Sequence, residues 1–296
     1  MTDSATPPQT DAASATTSDR RVRRLTAALL IAVPVLFNVC FLLLQTTFGY
    51  PEILRQPADE ILQRFAAGGP ALVALWYAFA LTPVLFLPAA VLLRRTLAQD
   101  APASVWLELA TPLAVAACLV QTLGLLRWTF LVPALARTYL DPATDAAARA
   151  ATVAVFQAFH QYAGVAAGEH LGYLFTAAWT AAISLAMRGS PVFRRWISWL
   201  GLVAAGGILA GLLEPAGLAA AGAVNALGYV VWSLWLIVAG GVARRTSGWG
   251  GRMLYRNMVP PARERGLRRP RVLHWLRLSA VSLTLFWPDL PTPPWW

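Results

Sequence analysis

Long apolar stretches alternate with short polar segments along this chain. Six of the stretches are long; they cover residues 25–48, 69–93, 105–132, 165–187, 196–218 and 220–243. A helix rises about 1.5 Å per residue, so roughly 20 apolar residues cross the hydrocarbon layer of a bilayer. The pattern therefore predicts an all-α protein, a polytopic integral membrane bundle of about six transmembrane helices.

Composition and charge agree with a membrane protein and predict its orientation. Only 13% of the residues are charged, against about 25% in soluble domains. All 24 basic residues are arginine, and most lie before the first span, after the second, after the fourth and after the sixth. Cytoplasmic loops carry the excess of basic residues in membrane proteins, so we expect both termini in the cytoplasm. The Arg-only, Ala-rich usage is typical of a GC-rich bacterium, and we expect a multi-pass protein of the bacterial cytoplasmic (inner) membrane.

The two ends of the chain differ from the membrane domain, which we place at 25–245. Residues 1–24 are polar and aperiodic and predict a disordered cytoplasmic tail. Residues 246–296 predict an Arg-rich cytoplasmic tail that contacts anionic lipid headgroups. Within it, residues 272–287 favour an interfacial helix over a seventh span, because 16 residues are few for a crossing. Since the net charge of +10 belongs mostly to this membrane face, we expect no nucleic-acid partner.

The loops on the predicted outer side carry helix signals. Pro57 suits the start of a short helix, and Gly68-Gly69 suit its end. Asp141-Pro142 predicts the cap and first turn of another helix. That helix would run toward Gly164 and lay one apolar or aromatic stripe against the membrane surface, formed by Val153, Phe156, Phe159 and His160.

A ridge of small residues runs through the stretch at 156–180. Gly164, Gly168 and Gly172 recur every four residues, a spacing that lets a neighbouring helix approach closely. A second pair of this kind, Gly207 and Gly211, is compatible with a homo-oligomer.

Polar side chains inside the predicted spans fall mainly in the outward half of the membrane. Six of them are candidate ligand-binding residues: Gln121, Arg127, Glu169, His170, Glu214 and Asn225. Charges at such depth are costly and commonly pair, so we expect Arg127 to pair with Glu169 or Glu214. Two interpretations stay open: a pocket in which Arg127 holds an anionic group, or an internal ion pair that stabilises the bundle.

Histidine and cysteine spacing favours neither a metal centre nor a cofactor. His160 and His170 lie about 280° apart on a continuous α-helix, which does not place them as facing haem ligands. Cys40 and Cys118 each lie alone in an apolar span and suit small buried thiols. We therefore expect no metal and no cofactor.

Several segments resemble a bacterial family of multi-span membrane proteins, the domain of unknown function 4386. They are FGYPEILRQPADEILQRFAAGG (48–69), WYAFAL (76–81), GLLRWTFLVPALA (124–136), FQAFHQYAGVAAGEHLGYLFTAAW (156–179), GILAGLLEPAG (207–217) and NALGYVVWSLWL (225–236). The resemblance covers roughly residues 30–243 and implies an integral membrane protein of about six helices. It implies no substrate and no catalytic residue, and the chain after Arg245 departs from the family pattern.

Three functional hypotheses follow from these residues. The favoured one is a non-enzymatic membrane protein that binds or transports a small, anionic ligand in an outward-facing polar pocket. The second is a membrane-embedded enzyme in which a glutamate acts as general acid or base, helped by His170. The third is a structural or sensory partner protein that uses its glycine faces and basic tail.

Overall fold

The computed structural model describes residues 9–100, 102–218 and 220–246, which are helical apart from short connections. The α-helices, numbered in chain order, are α1 (Gln9–Phe48), α2 (Ala58–Asp100), α3 (Val105–Phe130), α4 (Val132–Leu140), α5 (Ala146–Phe159), α6 (Gly172–Met187), α7 (Arg195–Ala210) and α8 (Ala221–Thr246). A π-helix at His160–Leu171 joins α5 to α6, and we call it the π segment. Short 3₁₀ turns lie at Glu52–Arg55 and Gly211–Leu213.

Within the described ranges, six helical stretches are long and apolar enough to cross a bilayer. They are Asp19–Phe48, Ala58–Asp100, Val105–Leu140, Ala146–Met187, Arg195–Leu213 and Ala221–Arg245. The prediction of an all-α, multi-pass membrane bundle of six helices is confirmed. The orientation of the bundle and the membrane it occupies stay predictions.

The first helix begins earlier than the hydropathy pattern indicates. α1 starts at Gln9 and runs to Phe48, so residues 9–24 are helical although the sequence analysis placed them in a disordered tail. This stretch contains neither proline nor glycine, and its alanine and arginine residues favour helix. The predicted division at 25 and 245 stays a prediction. The prediction of an interfacial helix at 272–287 lies outside the described residues.

One end of the bundle is formed by residues 49–57, 141–145, 214–218 and 220, and we call it the loop end. Here α2 is broken at Gly69, whose φ of 57° is a conformation that glycine adopts readily. The predicted end of a short helix at Gly68-Gly69 is thereby confirmed.

The start of α5 differs from the prediction. Asp145 is the cap, and its Oδ1 accepts a 2.8 Å hydrogen bond from the backbone N–H three residues later. Asp141 instead accepts from the backbone N–H two residues later, which makes a local turn. The expectation for Phe156 is also wrong: it is 3% exposed and packs against Trp128 rather than lying on the membrane surface.

An aromatic core closes the loop end on the side of α1 to α5. The rings of Trp76 and Trp128 stack with centroids 4.6 Å apart and planes 11° from parallel. Phe48 meets both rings edge-on, and Tyr50 meets Trp76 in the same way. A second apolar core fills the opposite end of the bundle around Trp179. The polar residues described below lie beside the aromatic core.

The glycine ridge of the π segment packs against α3. A Cβ atom at Gly124 would lie only 2.6 Å from the Cα of Gly168. At the next step of the ridge, a Cβ atom at Gly172 would lie 2.9 Å from the Cγ of Gln121. The predicted close approach of a neighbouring helix is confirmed, and that neighbour is α3.

The second glycine pair is also used within the chain. A Cβ atom at Gly207 would lie 2.8 Å from the Cα of Gly228, so α7 and α8 meet backbone to backbone. Gly211 faces Tyr173 and Asn225 at similarly short distance. These glycines therefore hold α7 against its own neighbours, and the homo-oligomer stays a prediction.

Candidate functional site

The central cation of the candidate site is Arg127, in the last turn of α3. The residue is 8% exposed, and its guanidinium lies 5.2 Å from the centre of the Trp128 ring. Nη1 donates a hydrogen bond to the carbonyl of Gly124, one turn earlier. Nε has no acceptor among the described residues. Because a guanidinium carries five N–H donors, this charge is buried with little of its hydrogen-bonding capacity used.

Gly164 makes room for this guanidinium. A Cβ atom built at Gly164 would overlap the Nη2 and Cζ atoms of Arg127. The first step of the glycine ridge therefore accommodates a charged side chain, whereas the next step, at Gly168, accommodates a helix backbone. Both glycines lie in the π segment. π-Helices are rare in proteins, and those that occur are often found at functional sites.

Glu169 shares the electrostatic environment of Arg127 without contacting it. Among the described residues, Glu169 makes no hydrogen bond and no ion pair within 4.0 Å, yet its charge interacts with that of Arg127. Tyr50 lies close to both groups. Burial raises the pKa of the Tyr50 hydroxyl, the Glu169 carboxylate adds to the increase, and Arg127 opposes it. We call Arg127, Glu169 and Tyr50 the Arg127 cluster.

The expected pairing of Arg127 with Glu169 or Glu214 is wrong, since neither carboxylate lies within ion-pair distance of it. Glu214 follows the turn after α7 and binds Arg55 instead, with 2.5 Å between Nη2 and Oε1. This pair lies at the loop end, where Arg55 is 59% and Glu214 40% exposed. Both of its charges interact with Glu169, which places the pair near the Arg127 cluster.

Gln121 precedes Arg127 in α3 and lies farther from the loop end. Its Nε2 donates a 2.6 Å hydrogen bond to Oγ1 of Thr176 on α6. Both residues line a small cavity together with Tyr229, Phe37 and several apolar side chains. About 20 Å³ of this cavity is open to the centre of a water molecule, and roughly 10–15 Å³ is enough for one water.

Asn225 hydrogen-bonds to the backbone of a neighbouring helix and, among the described residues, forms no hydrogen bond with the Arg127 cluster. The residue is 6% exposed, and its Nδ2 donates a 2.7 Å hydrogen bond to the carbonyl of Ile208. This bond joins α8 to α7 directly beside Gly211. The amide therefore satisfies a buried backbone acceptor.

Neither histidine hydrogen-bonds to the Arg127 cluster in the described part of the chain, although His160 interacts electrostatically with Arg127. His170 is half-buried and makes no side-chain hydrogen bond or ring contact there. His160 stacks on Phe156 with ring centroids 5.5 Å apart. No group of three or more His, Cys, Asp or Glu residues suited to a metal ion occurs in the described ranges. Cys40 and Cys118 are buried free thiols, as predicted.

The sequence analysis missed three tyrosines whose hydroxyls lie within electrostatic range of Glu169. Glu169 interacts electrostatically with Tyr50, Tyr173 and Tyr229. Tyr173 and Tyr229 also meet ring to ring, with centroids 6.0 Å apart. A tyrosine in an apolar span gives the sequence little signal, because aromatic residues are common near membrane interfaces. The available clue was the position of each tyrosine in the outward half of the predicted bundle.

Comparisons with known proteins identify the family but give no function. Searches of curated proteins and of solved structures returned no match. The model of one family, described as Domain of unknown function (DUF4386), matches residues 25–240. That range holds all six spans nearly in full and the whole Arg127 cluster. The chain therefore belongs to the DUF4386 family.

Proposed function

We propose that the protein binds a small anionic ligand, whose negative group is held by Arg127, in a polar pocket that opens at the loop end. The observation that carries this proposal is the buried guanidinium, which contacts one carbonyl and leaves Nε without an acceptor. A charge inside a membrane bundle normally pairs with another group or faces a functional cavity. Carboxylate and phosphate oxygens match the donors of a guanidinium, and such charge-assisted hydrogen bonds are strong.

The surroundings of Arg127 support a binding role over a purely structural one. An ion pair that stabilises the bundle would bring a carboxylate within contact distance, whereas Glu214 is engaged by Arg55 and Glu169 stays apart. Gly164 leaves room for the guanidinium itself, because a Cβ atom there would overlap it. The arginine distribution predicts that the loop end faces the outer side of the membrane, so the ligand would enter from that side.

The alternative of a membrane-embedded enzyme has less support. Acid–base catalysis needs a carboxyl group within hydrogen-bond reach of a cavity of substrate size. The cavity beside Gln121 has room for about one water, and no carboxylate is among its lining residues. Anion binding at Arg127 needs no positioned carboxyl group; like catalysis, it would require the loop end to open at the exposed Arg55–Glu214 pair.

The test combines stability and binding in the purified full chain in a nonionic detergent. Isothermal titration with methyl phosphate and with butyrate should detect binding to the wild type. Arg127→Gln should weaken it at least about 30-fold, because truncating a buried, hydrogen-bonded charge costs roughly 2 kcal/mol or more. Arg137→Gln, at an exposed arginine of α4, is the matched control and should bind normally.

The thermal midpoint of the ligand-free protein separates the two roles. An arginine retained for a ligand carries an uncompensated burial cost, so Arg127→Gln should unfold at or above the wild-type temperature. If Arg127 instead stabilises the bundle, its substitution should lower the thermal midpoint strongly. Gly164→Ala provides a second variant, because it displaces the guanidinium without removing its charge. Normal anion binding by both variants would refute the proposal.

A further inference from the structure

The carboxylate of Glu169 is the least expected neighbour for an anion-binding arginine. It is half-buried on the π segment, interacts electrostatically with Arg127, and stays outside ion-pair distance of it. In the described part of the chain it accepts no hydrogen bond, so its acceptor capacity is unused. A second negative charge at this place would weaken the binding of a simple anion.

The groups around Glu169 are suited to a cation. Three tyrosines interact with its charge: Tyr50, Tyr173 and Tyr229. The rings of Tyr173 and Tyr229 lie 6.0 Å apart at 62°, and the ring of Phe37 stacks with that of Tyr229 at 6.0 Å. Aromatic rings attract ammonium groups through their faces, and a nearby carboxylate adds to that attraction.

We infer that the ligand is a zwitterion, with its anionic group on Arg127 and an ammonium group between Glu169 and the tyrosines. This inference rests on the proposed function and adds the second half of the ligand. A zwitterion satisfies the buried charge of Arg127 and the half-buried charge of Glu169 at once, and it adds no net charge to the membrane interior. It also explains why Arg127 and Glu169 are neighbours that do not contact each other: the ligand bridges them.

Two sources supply this chemistry: a soluble amino acid or related compound, and the headgroup of phosphatidylethanolamine. Both carry an ammonium group and an anionic group joined by a short chain. The soluble arm of the test uses charge-matched pairs, namely phosphoethanolamine against methyl phosphate and 4-aminobutyrate against butyrate. Glycine and 6-aminohexanoate extend the range of chain lengths between the two groups.

Titration of the full chain in a maltoside detergent should show at least one zwitterion binding about tenfold to hundredfold more tightly than its matched anion. That factor is the contribution expected of one hydrogen bond to a charged group. Glu169→Gln should abolish the difference while anion binding persists or strengthens, because the repulsion is removed. Glu60→Gln, at an exposed carboxylate of α2 that pairs with Arg64, is the control and should keep the preference.

The lipid arm uses native mass spectrometry after reconstitution in phosphatidylethanolamine and phosphatidylglycerol. If the headgroup is the ligand, the wild type retains phosphatidylethanolamine and both Glu169→Gln and Arg127→Gln release it. Retention in this arm, or the preference in the soluble arm, supports the inference. If every zwitterion binds no better than its matched anion and no lipid is retained, the inference is overturned while anion binding at Arg127 stands. If anions also fail to bind, the proposed function fails with it.

Discussion

Arg55 and Glu214 form an ion pair, 2.5 Å long between Nη2 and Oε1, that joins the loop after α1 to the turn after α7. The two residues are 159 positions apart in the sequence. The hydrogen bond to Glu214 is the main cause that raises the pKa of Arg55. Because both charges act on Glu169, the pair lies beside the Arg127 cluster at the end where a ligand would enter.

We expect this ion pair to contribute little to the stability of the fold. Both side chains are well exposed, and exposed pairs are typically worth about 0.2–1 kcal/mol. A double-mutant cycle of Arg55→Gln and Glu214→Gln, followed by thermal unfolding in detergent, should give a coupling energy within this range that falls as salt is added.

The matched comparison is the pair formed by Arg23 and Asp100. Two hydrogen bonds of 2.9 and 3.0 Å join these side chains, which are only 12% and 19% exposed. The same cycle on this pair should give the larger coupling energy, since it is bidentate and more buried. Equal coupling in the two cycles would show that the Arg55–Glu214 bond is part of the structural framework rather than a contact that opens easily.

The contact between α3 and the π segment should tolerate no side chain. Gly124→Ala is expected to destabilise the bundle by about 1–3 kcal/mol, because the new methyl group would meet the backbone of Gly168 at 2.6 Å. Gly206→Ala is the control, since a Cβ atom there meets nothing within 4 Å. It should be neutral or slightly stabilising through higher helix propensity. Similar thermal midpoints for the two variants would contradict the packing described for the ridge.

The sequence predicts most of this fold because hydropathy and glycine spacing are local properties. Six apolar runs sufficed to place six spans, and the four-residue spacing of Gly164, Gly168 and Gly172 identified a packing face. Which helix packs there is a tertiary property, and only the structure assigns that role to α3. The early start of α1 was missed because hydropathy marks the apolar part of a helix and not its polar extension.

The site is less predictable because it depends on partners far apart in the chain. The sequence identified Arg127 and Glu169 as costly charges, but several acids were available at similar depth. Pairing of Glu214 with Arg55 follows from the way two loops meet, and no pattern in either loop indicates it. Asn225 was counted with the ligand-binding residues because a buried amide serves a ligand and a backbone carbonyl equally well.

Asn225 should therefore affect stability and leave ligand binding intact. Asn225→Leu removes the 2.7 Å hydrogen bond to the Ile208 carbonyl, and the lost bond together with altered packing should lower stability by about 1–3 kcal/mol. Anion binding, measured below the unfolding temperature, should stay within about threefold of wild type, a difference under 1 kcal/mol. A large loss of affinity in a folded Asn225→Leu protein would return this residue to the binding site.

The hydroxyl of Tyr50 makes stability depend on pH in the alkaline range. Burial raises its pKa in the folded protein, whereas an unfolded tyrosine ionises near pH 10. Above that pH the unfolded state loses a proton that the folded state keeps, so the wild type loses stability as pH rises. At pH 11 the loss from this one group should reach about 1.4 kcal/mol. Tyr50→Phe keeps the ring packed on Trp76 and removes the ionisation.

Unfolding midpoints of wild type and Tyr50→Phe, measured from pH 8 to pH 11 in a nonionic detergent, check this prediction. The wild type should lose stability relative to the variant only above about pH 10. Tyr162→Phe is the control, because Tyr162 is 79% exposed and its replacement should leave the pH dependence of wild type in place. Parallel curves for wild type and Tyr50→Phe would mean that the hydroxyl ionises as freely in the fold as in the unfolded chain. Tyr50 would then not be enclosed with Arg127 and Glu169, and the walls of the proposed ammonium site would have to be drawn from Tyr173 and Tyr229 alone.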